Sequence, residues 1–241
     1  MSDFWANLHK PLIVPLLWPG NRRDKRRLSR WLKKADVLQI ILPDNGVLGI
    51  HNARLYRSRA DFSLAALLQA CQQIRRKNSK KLILQAGVNN ALAYGLRSFF
   101  ADLAAAGVDA LTFRDLPLEE SEEFLYLSEQ QNMPLFLQAA DSAPEDRLAA
   151  LLEASPQGLL AVAAAQEQEN QAVENLLNTV RRLKKKANVP VLIDYALAED
   201  DNLRKAYQTA DGLLLPGLLD LPERCAMRRL KNIRRILSEL K

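Results

Sequence analysis

Residues 107–121 read GVDALTFRDLPLEES, and this stretch carries both a strand signal and a helix signal. Gly107 follows a run of alanines and opens a short β-rich run. The run then passes into a polar, acidic segment, in which Ser121 is suited to begin a helix. The stretch therefore predicts one buried strand that is followed by one helix.

The same alternation of strand and helix signals continues through the chain. Eight short runs are strand candidates, and most of them are apolar without period-two alternation, which is typical of parallel strands buried on both faces. These runs are residues 11–16, 37–42, 81–85, 110–114, 135–138, 158–163, 190–194 and 212–215. Apolar residues at helical spacing lie between them, from residue 64 onward and at 96–106, 147–154, 172–186 and 225–240. Helix starts are predicted at Asp61, Ser121, Pro144 and Glu199.

This count of elements predicts the fold. About eight β–α units in 241 residues match a closed (β/α)8 TIM barrel, so we predict an α/β protein of this architecture. We expect a single domain over residues 1–241, with an N-terminal helix or arm at 1–10 and a basic C-terminal helix at about 221–241. A doubly wound open sheet is the alternative, but no Gly-x-Gly-x-x-Gly follows an early strand.

The chain is basic, with a net charge of +6 and a pI of about 9.4. The basic residues concentrate in runs at 22–27, 181–186 and 228–235, each within an amphipathic helical pattern. Solvated outer faces of helices are the favoured interpretation. Contact with a polyanion through these helices is the alternative, but no aromatic residues are interleaved to form a stacking platform.

Several classes of protein are disfavoured by composition. No apolar run reaches the length of a membrane span, and the N-terminus lacks the pattern of a signal peptide, so we expect a cytoplasmic protein. The two cysteines, Cys71 and Cys225, lie far apart and fit a reducing compartment. With only two histidines in the chain, we expect no metal site, and we expect no cofactor.

In a barrel of this kind, chemistry occurs where strands run into the following loops, such as residues 85–90 after strand three. The polar residues at these ends are mostly amides, which orient a substrate but do not exchange protons near neutral pH. Acid–base work would therefore fall to Asp44, Asp115 or Asp194, each of which is alternatively a helix cap or turn residue. The predicted pocket residues are Gln85, Asp115, Gln138, Asp194 and Tyr195.

Several ordered segments resemble the α subunit of tryptophan synthase. The most specific is Asp-Leu-Pro-Leu-Glu-Glu-Ser at 115–121, preceded by Gly-Val-Asp at 107–109. Further matches are residues 35–38 with Pro43, 52–55, 134–137 and 210–212. Their order and spacing are kept from about residue 10 to residue 220, so the resemblance covers most of the chain.

The resemblance implies a lyase site whose main residues are replaced here. That family cleaves indole-3-glycerol phosphate to indole and glyceraldehyde 3-phosphate, using a glutamate on strand two and an aspartate in the following loop. The position that matches the glutamate is Gln39, and Asp44 is the only nearby carboxylate in an altered loop. The family holds the phosphate on glycine-rich loops after strands six to eight. Of these, only Gly217 remains, after Pro216.

These replacements predict a barrel that lacks the lyase activity and serves binding or regulation. The alternatives are an active lyase of tryptophan biosynthesis, or an enzyme that uses Asp44, Asp115 or Asp194 on a different small substrate. The family pairs with a pyridoxal-phosphate β subunit through the barrel mouth. Because the loop after strand two is altered, the sequence argues against retention of this partner. The sequence leaves a homo-oligomer open, and it does not identify the small-molecule ligand.

Overall fold

The eight predicted strands are all present, and they form a closed parallel barrel. The computed structural model of the chain describes residues 5, 8–17, 30–42, 63–76, 78–163, 169–194 and 200–240. The strands follow one another around the barrel in chain order, from the first to the eighth. This topology confirms the predicted (β/α)8 fold and excludes the doubly wound open sheet.

The observed strand bounds differ from the predicted ones by one or two residues. The strands are β1 Leu12–Leu17, β2 Val37–Ile41, β3 Lys81–Ala86, β4 Ala110–Phe113, β5 Leu135–Ala140, β6 Gly158–Val162, β7 Val191–Asp194 and β8 Gly212–Leu214. Most of their residues are buried, as expected for parallel strands that are covered on both faces.

Helices follow most of the strands. The helices whose two ends are both described are α1 Leu64–Arg75, α2 Val88–Tyr94, α3 Leu96–Ala105, α4 Glu122–Gln130, α5 Glu145–Glu153, α6 Glu169–Lys186, α7 Asp200–Thr209 and α8 Glu223–Ser238. Short 3-10 turns occur at Leu118–Glu120 and Pro216–Leu218. Ser121 and Pro144 are the N-caps of α4 and α5, as predicted. The predicted helix starts at Asp61 and Glu199 lie outside the described residues.

Helix α2 corrects one prediction. The sequence predicts a loop over residues 85–90, but α2 begins at Val88. The backbone N–H of Gly87 donates a 3.0 Å hydrogen bond to Asn90 Oδ1, which stabilises the first turn. Gly95 then separates α2 from α3 with a φ of 93°, a conformation that glycine adopts at little steric cost. A seven-residue helix is too short to show a helical period in the sequence.

The chain divides into two compact units. One unit consists of Leu16–Phe136 with Ser2–Ala6, and it contains β2, β3 and β4 as successive hydrogen-bonded neighbours. The other consists of Leu137–Lys241 with Asn7–Pro15, and in it β6 pairs with β7, β7 with β8 and β8 with β1.

Asp109 anchors the start of β4 in the first unit. Its Oδ2 accepts a 2.7 Å hydrogen bond from the N–H of Leu82, and its carboxylate pairs with Arg75 and with Lys81, whose Nζ lies 3.2 Å from Oδ1. Arg75 Nη2 also donates to the carbonyl of Gly107 at 2.7 Å. Gly107 has a φ of 84°, and a Cβ at this position would lie 3.0 Å from the Arg75 side chain. Both the backbone and the close approach therefore require glycine.

Asp211 makes the equivalent contacts in the second unit. Its Oδ2 accepts a 2.9 Å hydrogen bond from the N–H of Val191, and its own N–H donates to the Val191 carbonyl at 2.9 Å. Its Oδ1 lies 2.5 Å from Lys184 Nζ. Each aspartate therefore ties the start of its own strand to the start of the strand before it.

The basic runs of α6 and α8 are partly neutralised by nearby carboxylates. Glu145 accepts hydrogen bonds from Lys186 and Arg182, which lower the pKa of its carboxyl to about 2. Arg229 of α8 lies 2.9 Å from Asp200. These pairs favour the solvated-face interpretation, and contact with a polyanion stays a prediction. The basic run at 22–27 and most of the predicted arm at 1–10 lie outside the described residues.

Two further features bear on the predicted compartment. None of the helices in the described ranges is long and apolar enough to cross a lipid bilayer. Both cysteines are free thiols: Cys225 is exposed, whereas Cys71 is buried, and burial raises the pKa of its thiol to about 12. A thiol with such a raised pKa is a poor nucleophile at neutral pH, so Cys71 serves as a core residue.

Candidate functional site

Phe113 identifies the outer face of β4. Its ring centroid lies 6.3 and 6.4 Å from those of Phe99 and Phe100 on α3, and 5.0 Å from that of Phe124 on α4. Phe113 therefore packs against helices. Because successive residues of a strand point to opposite faces, Thr112 points to the inner face of the barrel.

The strand register brings two glutamines to this same inner face. Gln85 of β3 lies in register with Thr112 of β4, and Ile41 of β2 lies in register with Gln85. Gln39 lies in register with Ile83, two residues earlier on both strands, and so shares the face of Ile41. We call Gln39, Gln85 and Thr112 the inner polar set. All three belong to the unit that contains β2, β3 and β4.

The inner polar set is buried, and two of its atoms lack hydrogen-bond partners. The exposed fractions of Gln39, Gln85 and Thr112 are 2%, 8% and 1%. Within the described residues, neither Gln39 Oε1 nor Thr112 Oγ1 has a partner. An unsatisfied buried polar group costs about 1–3 kcal/mol of stability. These two atoms are therefore places where a donor from outside the protein would be favoured.

Thr112 was not among the residues predicted from the sequence. It lies in the strand Ala-Leu-Thr-Phe, where a single hydroxyl in a buried apolar run was the only signal. Thr179 shows why that signal is weak. It is equally buried, at 1% exposure, but its Oγ1 donates a 3.0 Å hydrogen bond to the carbonyl of Asp141. Residue type and burial do not distinguish these two threonines, whereas their hydrogen-bond partners do.

Asp115 is an exposed residue that caps a helix from a distant part of the chain. Its Oδ1 accepts a 2.8 Å hydrogen bond from the N–H of Val88, the first residue of α2. The N-terminal N–H groups of a helix have no partner within the helix, so a carboxylate satisfies one of them. The sequence analysis left two roles open for Asp115, acid–base catalysis and helix capping. This contact shows that Asp115 caps a helix.

Removal of the Asp115 carboxylate tests this capping contact. We expect Asp115→Ala to lower the free energy of unfolding by about 1 kcal/mol, because the Val88 N–H loses its acceptor. Asp115→Asn retains an acceptor oxygen, so its free energy of unfolding should fall by less than half as much as that of Asp115→Ala. Urea denaturation measures both, with Arg114→Ala as the exposed neighbouring control. Equal stability of Asp115→Ala and Arg114→Ala would show that the cap contributes nothing.

The second unit holds three more predicted site residues. Gln138 is half-buried in β5, and Asp194 is half-buried at the end of β7, in register with Val162 and Leu214. Gly217 lies in the turn Pro216–Leu218 after β8. These residues lie at or near the carboxyl ends of strands, as the sequence predicts.

The turn around Gly217 offers few donors to an anion. The N–H of Leu218 donates to the Leu215 carbonyl at 3.2 Å, and the N–H of Leu219 donates to the Pro216 carbonyl at 2.9 Å. Pro216 has no N–H of its own. A phosphate at this turn would therefore compete with the turn's own hydrogen bonds for the N–H groups of Leu218 and Leu219.

Two predicted site residues, Asp44 and Tyr195, lie outside the described residues. Their roles as a candidate acid–base residue and a pocket residue stay predictions. In the part of the chain that the structure describes, no three His, Cys, Asp or Glu side chains come together in a way that could hold a metal ion.

A closed barrel of eight parallel strands in chain order, with helices after most of the strands, places this chain in the class of TIM-barrel proteins. The family model of the tryptophan synthase alpha chain matches residues 33–219. This chain therefore belongs to the tryptophan synthase alpha chain family.

Individual relatives are distant. The tryptophan synthase alpha chain of Oceanobacillus iheyensis is 24% identical over 218 residues, which cover 86% of this chain and 82% of that one. That of Geotalea daltonii is 23% identical over 162 residues, and the match spans only 61% of its length.

Solved structures show the shared fold. A tryptophan synthase complex from Pyrococcus furiosus contains a chain that matches with a TM-score of 0.80 and 19% identity, covering 96% of this chain and 99% of that one. Tryptophan synthase subunit alpha from Campylobacter jejuni matches with a TM-score of 0.77 and 17% identity, covering 97% and 98%.

Proposed function

We propose that this chain keeps the barrel of the tryptophan synthase alpha family, lacks lyase activity on indole-3-glycerol phosphate, and acts by binding or regulation. The observation that carries the proposal is Gln39. It is 2% exposed on the inner face of β2, at the position that the resemblance matches to the family's glutamate. An amide forms hydrogen bonds but does not accept or deliver a proton near neutral pH.

The described carboxylates supply no replacement beside Gln39 on the same strands. Asp115 already accepts the hydrogen bond of the Val88 N–H, and Asp109 already pairs with Arg75 and Lys81. A retro-aldol cleavage needs an acid and a base placed within hydrogen-bond reach of the reacting atoms. The commitment of these side chains to structural contacts therefore supports loss of the ancestral reaction.

The turn after β8 supports the same proposal. Phosphate sites in TIM barrels rely on backbone N–H groups of the last loops and on a helix N-terminus. Here Pro216 lacks an N–H group, and the N–H groups of Leu218 and Leu219 are used within the turn. Weak binding of the phosphate would remove much of the binding energy that positions the substrate.

The decisive measurement is indole release. Purified chain and indole-3-glycerol phosphate, with and without a tryptophan synthase β subunit, should give no indole above the enzyme-free rate. The alpha chain of Thermococcus kodakarensis, which is 24% identical over 242 residues, serves as the positive control. Indole release that disappears in Asp44→Asn would refute the proposal and would assign the reaction to that carboxylate.

The β subunit in this experiment also tests the partner. Some structures with this fold are of tryptophan synthase complexes, such as the Pyrococcus furiosus assembly. We propose that this chain does not depend on such a partner, because the loop after strand two differs from the family pattern. Co-elution of the two proteins on size exclusion at micromolar concentration would contradict this part of the proposal, whether or not indole is formed.

A further inference from the structure

Helix α8 carries its apolar and its basic side chains on opposite faces. The buried side chains are apolar, and they are Ala226, Leu230, Ile233, Ile236 and Leu237. The exposed side includes four cations, Arg224, Arg228, Lys231 and Arg235, which we call the basic stripe. Their spacing of four, three and four residues places them within about 60° of one another around the helix axis. The basic stripe therefore faces away from the buried side of the helix.

The basic stripe is also regular along the helix axis. Eleven residues separate Arg224 from Arg235, which corresponds to a length of about 16 Å. Neighbouring cations of the stripe are separated by a rise of about 4.5–6 Å. Between Arg224 and Ser238, α8 contains no acidic residue. The helix therefore presents one sign of charge over about three turns.

Most of the basic stripe has no carboxylate partner in the part of the chain that the structure describes. Glu239 lies 3.7 Å from Arg235, at the C-terminal end of the stripe. For Arg224, Arg228 and Lys231, the described residues provide no ion-pair partner. The stripe therefore differs from α6, where one carboxylate neutralises two of the cations.

The like charges of the stripe act against the helix that carries them. Like charges at positions i and i+4 destabilise a helix, and a cation in the first turn is unfavourable beside the partial positive charge of the helix N-terminus. Arg224 is the second residue of α8 and lies four residues before Arg228, and Lys231 lies four residues before Arg235. An anion that lies along the stripe from outside the protein would offset both effects.

A duplex nucleic acid matches the stripe in length and in charge. Each strand of a duplex carries one phosphate per about 3.4 Å of the helix axis, so a stripe about 16 Å long faces about five phosphates of one strand. Arginines make up most of the stripe, and a guanidinium group holds two phosphate oxygens at once. The regular spacing of the cations therefore suits a regular row of phosphates.

Membranes and single strands match the stripe less well. Helices that bind a membrane surface insert an apolar face into the lipid, but the apolar face of α8 is already buried. Proteins that bind single strands combine basic residues with aromatic side chains on which the bases stack. The exposed aromatic residues of the described ranges, Tyr94 and Tyr126, belong to the other compact unit. A duplex requires neither feature, because its backbone is recognised by charge.

We propose that the basic stripe of α8 is a binding surface for the phosphate backbone of a duplex nucleic acid. Its four side chains contact phosphates of one strand and do not read the bases, so binding has no sequence preference. This inference goes beyond the proposed function and does not depend on it, because the stripe includes no residue of the inner polar set.

Fluorescence anisotropy of a labelled duplex of about 20 base pairs, titrated with the full chain, tests the surface. Binding should be saturable at about 50 mM KCl and should weaken as salt is added, because each phosphate contact contributes about −0.9 to the slope of log association constant against log salt concentration. In Arg228→Gln combined with Lys231→Gln, the slope should become shallower by about two, and the affinity at about 50 mM KCl should fall at least about tenfold. Arg228→Lys combined with Lys231→Arg keeps both charges and should retain the wild-type slope.

A second pair of exposed cations separates this effect from net charge. Arg76→Gln combined with Arg97→Gln removes the same amount of charge from the other compact unit. This control should leave the affinity for the duplex within about threefold of the wild-type value. All of these variants should melt within about 2 °C of the wild-type chain, since the substituted residues are exposed. A loss of binding in the stripe variant is then not a loss of folding.

Three results would overturn the proposal. The first is absence of saturable binding to the duplex at about 50 mM KCl. The second is an equal loss of affinity in the stripe variant and in the control variant, which would assign binding to net charge. The third is tighter binding, at the same salt concentration, to a single strand of equal length, to poly-glutamate, or to vesicles of phosphatidylserine and phosphatidylcholine in about equal amounts.

The proposed function fails by a different measurement. Indole release from indole-3-glycerol phosphate would refute the loss of lyase activity and would leave the affinity of the stripe for a duplex unaffected. Loss of duplex binding would likewise leave the result of the indole assay unchanged.

Discussion

Gln39→Glu is expected to be about 3 kcal/mol less stable than the wild-type chain at pH 8, and to recover most of that loss near pH 4. Gln39 is 2% exposed and its Oε1 has no partner in the described part of the chain. A carboxylate introduced there loses its hydration and gains no cation, so the pKa of the introduced carboxyl rises well above its usual range.

The direction of the pH dependence follows from that rise. Below about pH 4, the introduced carboxyl is protonated in both the folded and the unfolded chain, and it behaves like the amide that it replaces. As the pH rises past about 4.3, the unfolded chain loses the proton first, so ionisation stabilises the unfolded state. The destabilisation grows until the pH passes the raised pKa of the folded state.

Urea denaturation at pH 4, 6 and 8 measures this effect. Gln73→Glu is the matched control, since Gln73 is exposed on α1 and its carboxyl should give little dependence on pH. If the free energy of unfolding depended on pH in the same way for both variants, the inner face would have to be hydrated or to contain a cation. We also expect Gln39→Glu to release no indole from indole-3-glycerol phosphate, because the turn after β8 still offers few donors to the phosphate.

Phe113→Ala is expected to lower the free energy of unfolding by about 3–5 kcal/mol. Phe113 is 3% exposed and packs against Phe99, Phe100 and Phe124, so its ring joins β4 to both α3 and α4. Truncation removes the transfer free energy of the ring and leaves a cavity that fixed helices cannot fill.

The urea midpoint, compared among three variants, measures this loss. Phe113→Leu keeps most of the side-chain volume and should cost less than half as much as Phe113→Ala. Tyr126→Ala, on α4 but 51% exposed, should change stability by no more than about 1 kcal/mol. A loss below about 2 kcal/mol for Phe113→Ala would show that the aromatic cluster is not part of the cooperative core.

Short apolar runs and the segments between them were enough to predict the architecture. Strands buried on both faces read as continuous apolar stretches, and eight of them alternating with helices leave few topologies. Helix α2 escaped prediction because its first turn depends on Gly87, Asn90 and an acceptor from Asp115, which lies 27 residues after Val88. The local sequence pattern does not predict a contact between residues so far apart in the chain.

Residue patterns along the chain were sufficient to predict the alternation of strands and helices and the family resemblance, and they place Gln39 at the position that the resemblance matches to a glutamate. Each of these depends on residue type and order along one chain. The folded chain was needed to show that Asp115 caps a helix, and that Thr179 has a hydrogen-bond partner whereas Thr112 has none among the described residues. Whether a buried polar group has a hydrogen-bond partner depends on atoms from distant parts of the chain. These atoms come together only when the strands are in register.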